Sequence, residues 1–151
     1  MKIAVGSDHG GYALKQVLLD VLRGRGLTVD DFGTVDGNAS VDYPDFGAQV
    51  ARAVSTGQVD RGLLVCGTGI GMSIIANKFP GVRAALVTDA YMARMASEHN
   101  NANILVLGGR TSDPTSAREM VETWLDTPFE GGRHQRRLDK IAEYEKTAPN
   151  R

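Results

Sequence analysis

The chain holds a single cysteine, Cys66, so no disulfide can close within it. An excess of either charge is also missing: 17 Lys and Arg stand against 18 Asp and Glu, a formal charge of -1. That balance leaves no global field to draw nucleic acid or an anionic membrane, so any anion must be caught locally. No stretch approaches the roughly 18 apolar residues of a membrane span, and neither repeats nor low-complexity segments interrupt the chain. The opening MKIAVGSDHGG has an apolar run too short for the core of a secretory signal, and the expected compartment is the cytoplasm. The 151 residues suit one domain, 1–151, with a full core.

What is present is a repeated alternation. KIAVGS (2–7) reads as a short apolar strand, and Leu14, Val17, Leu18, Val21 and Leu22 follow at helical spacing until Gly26. TVDDF (28–32) precedes a helix near 44–55 opened by Pro44, and GLLVC (62–66) precedes one from about Gly69 to Lys78. AALV (84–87) leads into a helix capped by Asp89; ILVL (104–107) leads into one opened by SDP at 112–114 and ending near Asp126. Strands that read as uniformly apolar, separated by helices, mean a parallel sheet covered on both faces. The expected architecture is a Rossmann-like α/β fold, a three-layer α/β/α sandwich whose five parallel strands run in the order 2-1-3-4-5. Ligands then bind where the first and third strands diverge, at the loops SDHGG (7–11) and CGTGIG (66–71). The tail, 127–151, carries an extra C-terminal helix with Leu138, Ile141 and Ala142 on one face, expected to lie on a partner subunit.

Gly67, Gly69 and Gly71 lead into a helix, so backbone N–H groups point out of its first turn and favour negative charge. Met72 breaks the dinucleotide fingerprint, and Thr68 stands where a P-loop would need Lys. The other explanation is a plain tight connection. Cys66 likewise has two: a small buried hydrophobe ending a strand, or a thiolate favoured by the free amides beside it. Three histidines and one cysteine show no ligand spacing, so no metal is expected. Arg110 follows LGG at the end of the fifth strand, and Arg133, Arg136 and Arg137 cluster with His134 in the tail. That cluster is either a solvated helix face or a phosphate grip; Arg133 and Arg137, four apart, share a face. His99 and Asn100 end the fourth helix, as ordinary capping residues do. That helix runs back to the edge opposite the crevice, so neither residue reaches the glycine loop of its own chain.

SDHGG with DYP, CGTGIGMSIIANK, EHNNANIL, LGGR and EGGRHQRR, in this order and nearly end to end, resemble the ribose-5-phosphate isomerase B family. The wider group includes galactose-6-phosphate and allose-6-phosphate isomerases. The resemblance implies aldose–ketose isomerisation of a sugar phosphate through a cis-enediolate, with no cofactor, in the pentose phosphate pathway. Cys66 would be the base between C1 and C2, Thr68 an assisting hydroxyl, and the amides of Gly67, Thr68, Gly69, Ile70 and Gly71 the holder of the enediolate oxygen. His99 would open the furanose ring, with Asn100 steadying the reacting oxygens. Asp8, His9 and Tyr43 would contact substrate, while Arg110, Arg133 and Arg137 would grip the phosphate. Some relatives replace this cysteine by a Glu just inside the following helix; here that position is Met72.

The family's sites lie between subunits, which implies a homodimer with shared active sites or a tetramer of such dimers. A six-carbon sugar phosphate is the nearest alternative substrate. A noncatalytic phosphosugar or nucleotide sensor on the same sandwich is the alternative from another class; it would need the glycine loop and arginines but not Cys66, Thr68 and His99 together. A receiver-like module is disfavoured because Cys66 stands where its acceptor Asp would end the third strand.

Overall fold

Five short segments pair side by side, and each is followed by a helix that carries the chain back. In the computed structural model, which describes residues 1–149, these are β1 (Lys2–Ser7), α1 (Tyr12–Gly24), β2 (Thr28–Asp31), α2 (Tyr43–Ser55), β3 (Arg61–Cys66), α3 (Ile70–Ala76), β4 (Ala84–Leu86), α4 (Ala90–Glu98), β5 (Ile104–Gly108), α5 (Pro114–Asp126) and α6 (Arg133–Thr147). All strand pairs are parallel. Pro at the start of α2 and α5 suits positions whose N–H would have no helical partner. Asp89 and Asp113 accept the N–H groups of Met92 and Ser116, capping α4 and α5 as their sequence context predicts.

The three-layer sandwich is as expected, but the order of strands is 2-1-3-5-4, with the last two exchanged. Burial explains the exchange. β5 is buried at all five positions, whereas β4 has three residues, each only half-buried, and takes the edge. β2, with the pattern Thr-Val-Asp-Asp, forms the other edge, so the reading of every strand as uniformly apolar fails there. The switch between β1 and β3 is unaffected. The helix α4 is affected, because a connection from β4 back inward to β5 puts it on the same face as α1 and α5. There Leu18, Leu22, Leu63, Leu105, Met120 and Trp124 form one core, while Val50, Leu64, Met72, Ala76 and Val106 form the other, against α2 and α3.

The third helix stops at Ala76, earlier than predicted, because the Asn77 side chain donates to Ser73 O and Ala84 O and accepts from Ala84 N. α6 touches the rest of the chain mainly through buried His134 and Leu138. Ile141 and Ala142 on the predicted apolar face are exposed. Among the described residues no helix is long and apolar enough to cross a membrane.

One buried charge braces the loop beside β1. Lys15 is fully buried on α1, and its Nζ donates to both Asp31 carboxylate oxygens, at 2.7 and 2.9 Å, and to Thr34 O at 2.8 Å. Removing one partner of a buried pair strands the other charge, at a cost of about 3–5 kcal/mol when both are fully enclosed. Asp31→Ala is therefore expected to destabilise the chain by about 3 kcal/mol, the low end of that range because the Asp31 side chain is 27% exposed. Lys15→Met, which leaves a carboxylate that water can reach, costs less. Urea midpoints of the two variants test the asymmetry.

Candidate active site in two halves

At the carboxyl end of the sheet, the loops after β1, β3 and β5 mesh with almost no side chain between them. A Cβ on Gly11 would lie 2.4 Å from Val65 O, so only glycine lets the first loop rest on β3. The loop after β3 is tied to that after β5 by Gly109 N–H to Cys66 O at 2.7 Å and Arg110 N–H to Gly67 O at 2.9 Å. Cys66, 5% exposed, thus sits on a rigid platform. Its Sγ accepts the Gly69 N–H at 3.2 Å, a donor that stabilises negative charge on sulfur. Gly69 has φ 81°, in the left-handed region, and a Cβ there would strike Leu86 at 2.5 Å.

Other predicted residues gather around this thiol. Thr68 Oγ1 accepts the Ile70 N–H at 3.3 Å, and both residues are exposed. A Cβ on Gly67 would stand 3.1 Å from Arg110 Nη1, and one on Gly71 would stand 2.6 Å from Tyr43 Cζ, which places both side chains against the glycine loop. Asp8 is buried, its Oδ1 accepting the Gly11 N–H at 3.1 Å; a Cβ on Gly10 would lie 3.3 Å from that oxygen and 3.2 Å from Gly67 N. His9 Nδ1 accepts the Val41 N–H at 3.2 Å, so the neutral ring carries its proton on Nε2. One half of the predicted site is therefore assembled: Asp8, His9, Tyr43, Cys66, residues 67–71 and Arg110.

The other half is elsewhere on the chain. His99 caps α4, which leaves the carboxyl end of β4 and feeds the amino end of β5. Asn100 O and Asn101 O accept from Arg83 Nε at 3.2 and 2.9 Å, and Arg83 directly precedes β4. His99 and Asn100 thus lie at the end of the sheet opposite Cys66, as the sequence predicts, despite the exchanged strands. Arg133 and Arg137, both exposed on α6, flank His134, whose ring stacks on His99 with centroids 4.0 Å apart and planes 13° from parallel.

Sequence reasoning gave His134 no role and did not consider Glu130. His134 Nε2 is 3.2 Å from Glu130 Oε2, and His99 Nε2 is 3.9 Å from the same oxygen and 3.6 Å from Glu98 Oε1. The Glu98 carboxyl is held below the usual carboxylate range, chiefly by the hydrogen bond from Arg94, with the charges of Arg94, His99 and His134 adding to it. The fold thus brings together two histidines that linear spacing kept apart. Their ring nitrogens and the Glu130 carboxylate lie within 4.8 Å of one another, yet near-parallel rings send their in-plane lone pairs side by side, not toward one ion. The i,i+4 spacing of His134 and Leu138, with Glu130 one turn earlier, was the signal available in the sequence.

Comparison with known proteins identifies the family. A family model described as Ribose/Galactose Isomerase matches residues 3–141. Ribose-5-phosphate isomerase B of Escherichia coli is 44% identical over 144 residues, which is 95% of this chain and 96% of that protein. The solved ribose-5-phosphate isomerase B of Clostridium thermocellum has a TM-score of 0.96 at 56% identity, covering 99% of this chain and 100% of that one. The Mycoplasma genitalium enzyme with bound ribulose-5-phosphate has a TM-score of 0.94 at 42% identity, covering 97% of each chain. The fold, the glycine loop beside Cys66 and these similarities agree, and the chain belongs to the ribose/galactose isomerase family.

Proposed function

We propose that this ribose-5-phosphate isomerase interconverts ribose 5-phosphate and ribulose 5-phosphate with Cys66 as the base, in sites shared between two copies of the chain. The observation that carries it is the Cys66 sulfur held by the Gly69 N–H in the glycine loop after β3. A thiolate there can take the C2 proton of the open-chain aldose; the electron pair moves onto C1–O1, and the loop amides receive the resulting enediolate oxygen. The thiol then returns the proton to C1 as the C1–C2 double bond opens, and the O2 proton passes to the O1 oxyanion, so that C1 carries the hydroxyl and C2 becomes the ketone. Thr68 offers a hydroxyl beside the moving protons. Arg110 reaches the same loop and, with Arg133 and Arg137, suits a phosphate. Asp8, His9 and Tyr43 wall the sugar.

Ring opening comes first. His99 gives a proton to the furanose oxygen as the C1–O bond breaks onto it, and the C1 hydroxyl releases its proton to water. His99 and Asn100 stand at the wrong end of their own sheet for this, so they serve the Cys66 loop of a partner subunit, together with Arg133 and Arg137. The surface supports such pairing. An apolar cavity of about 470 Å³ beside β4 is lined by Leu86, Met92, Met95, Leu138 and Ile141 and reaches Asn100. Ile70, Ile74 and Tyr91 are each more than half exposed on the neighbouring helices α3 and α4. A second copy covering this face would also bury the free side of α6, and a tetramer would pair two such dimers. The chain is then one isomerase domain, 1–151, placed in the cytoplasm.

Cys66→Ala is expected to fold normally by circular dichroism and to lose about 10²- to 10⁴-fold in kcat, and near-normal turnover would remove the thiol from the mechanism. Assays of the wild-type chain on ribose, allose and galactose phosphates fix the substrate, galactose being the other sugar that the family description names. Arg133→Ala and Arg137→Ala should raise KM more than Arg136→Ala does; equal effects at all three positions would mean a solvated face. Mixing Cys66→Ala with His99→Asn chains under exchange should restore up to about half the wild-type activity per mixed dimer, since one of its two sites carries neither defect. Inactivity despite proven exchange would refute the shared site.

A further inference from the structure

His134 and Glu130 have no part in the steps above, yet they are the groups that hold His99. The imidazole of His99 ends a helix and its side chain is 35% exposed. It makes no hydrogen bond among the described residues, and the nearest carboxylate oxygens, at 3.6 and 3.9 Å, are too far to form one. A ring so placed swings about χ1 and χ2 unless a surface stops it. The surface is His134, 3% exposed, stacked 4.0 Å away and 13° from parallel, and carried on the same face of α6 as buried Leu138.

We propose that His134, braced by Glu130, is a positioning residue that sets the plane of the His99 imidazole for ring opening; this rests on the role given to His99 above. Glu130 acts as the strut. Its carboxylate lies 3.2 Å from His134 Nε2, a buried nitrogen with no hydrogen-bond partner, and its N–H donates to Glu98 O at 3.0 Å. Glu98 is tied in turn to Arg94 Nε at 2.9 Å. The stretch joining α5 to α6 is thereby pinned to the last turn of α4, and the platform is fixed to the ring it supports. A small turn of the general acid away from the furanose oxygen costs rate without costing binding.

Steady-state kinetics of His134→Ala, His134→Phe and Glu130→Gln, beside His99→Asn, test this. His134→Ala should lower kcat for ribose 5-phosphate about 10-fold with KM within about 2-fold, and His134→Phe, which restores a flat ring, should recover most of the loss. Exchange of the C1 hydrogen of ribulose 5-phosphate with deuterated water reports the Cys66 step alone, with no ring to open, and should stay near wild type in His134→Ala, His134→Phe and Glu130→Gln. The three histidines of the chain make the His99 ring proton assignable by NMR. Its upfield ring-current shift should vanish in His134→Ala and persist in His134→Phe.

Unchanged kcat in both His134→Ala and Glu130→Gln, with His99→Asn inactive, would overturn the positioning role and leave the role of His99 standing. A rise in KM at constant kcat would overturn it too, assigning His134 to the phosphate grip of Arg133 and Arg137. Full net conversion by His99→Asn would instead remove the role of His99 itself, and the proposal with it. Should His134→Ala fail to fold, Glu130→Gln, at an exposed position, carries the same kinetic test.

Discussion

A parallel strand and the helix that follows it must run in opposite directions, and the functional arrangement of this chain depends on that constraint. Whatever ends a strand faces one side of the sheet, and whatever ends a helix faces the other. Cys66 ends β3 and His99 ends α4, so the two residues occupy opposite ends of one subunit. No loop rearrangement of ordinary size joins them. The shared site proposed above brings them together through a second copy, for which the exposed apolar face beside β4 is the surface on offer.

Close backbone contact makes the half around Cys66 rigid. Loops usually keep their distance through side chains, but here Gly11 lies against the carbonyl of Val65, and the loops after β3 and β5 are joined by two short N–H to carbonyl bonds. Lys15 braces the β2 side of the same end through Asp31 and Thr34, while Ser7 and residues 33 and 34 exchange two further backbone bonds of 2.7 Å. Thr68 and Ile70 on the loop are exposed, whereas Cys66 and the backbone frame around it are buried. A frame fixed in this way suits the enediolate proposed above, whose developing charge must meet donors already in place.

The half around His99 is held differently. Exchange of β4 and β5 moves α4 onto the face of α1 and α5, where Ser97 Oγ donates to Trp124 O at 2.7 Å and Trp124 Nε1 donates to Ala102 O at 2.9 Å. The end of α4 is thereby fixed beside the start of α6, which brings His134 onto His99. Of the two strands β4 is the shorter, three residues with two alanines against five in β5, and it takes the edge while the longer β5 holds the inner place.

Much of this was legible in the chain itself. The alternation of apolar runs with helical spacing, the caps Asp89 and Asp113, and the glycines around Cys66 are local signals, each written within about one turn of structure, and they determined the layers, the helix starts and the loops at the crevice. The separation of Cys66 from His99 also followed, because it depends only on connection direction and not on which strand lies next to which. Strand order did not follow. It is decided by comparing the burial of β4 with that of β5, a competition between segments about 20 residues apart in the chain. For the same reason the stack of His99 on His134 and the approach of Glu130 belong to tertiary structure alone: they arise where α4 and α6 meet, and contacts between distant segments leave no period in a sequence.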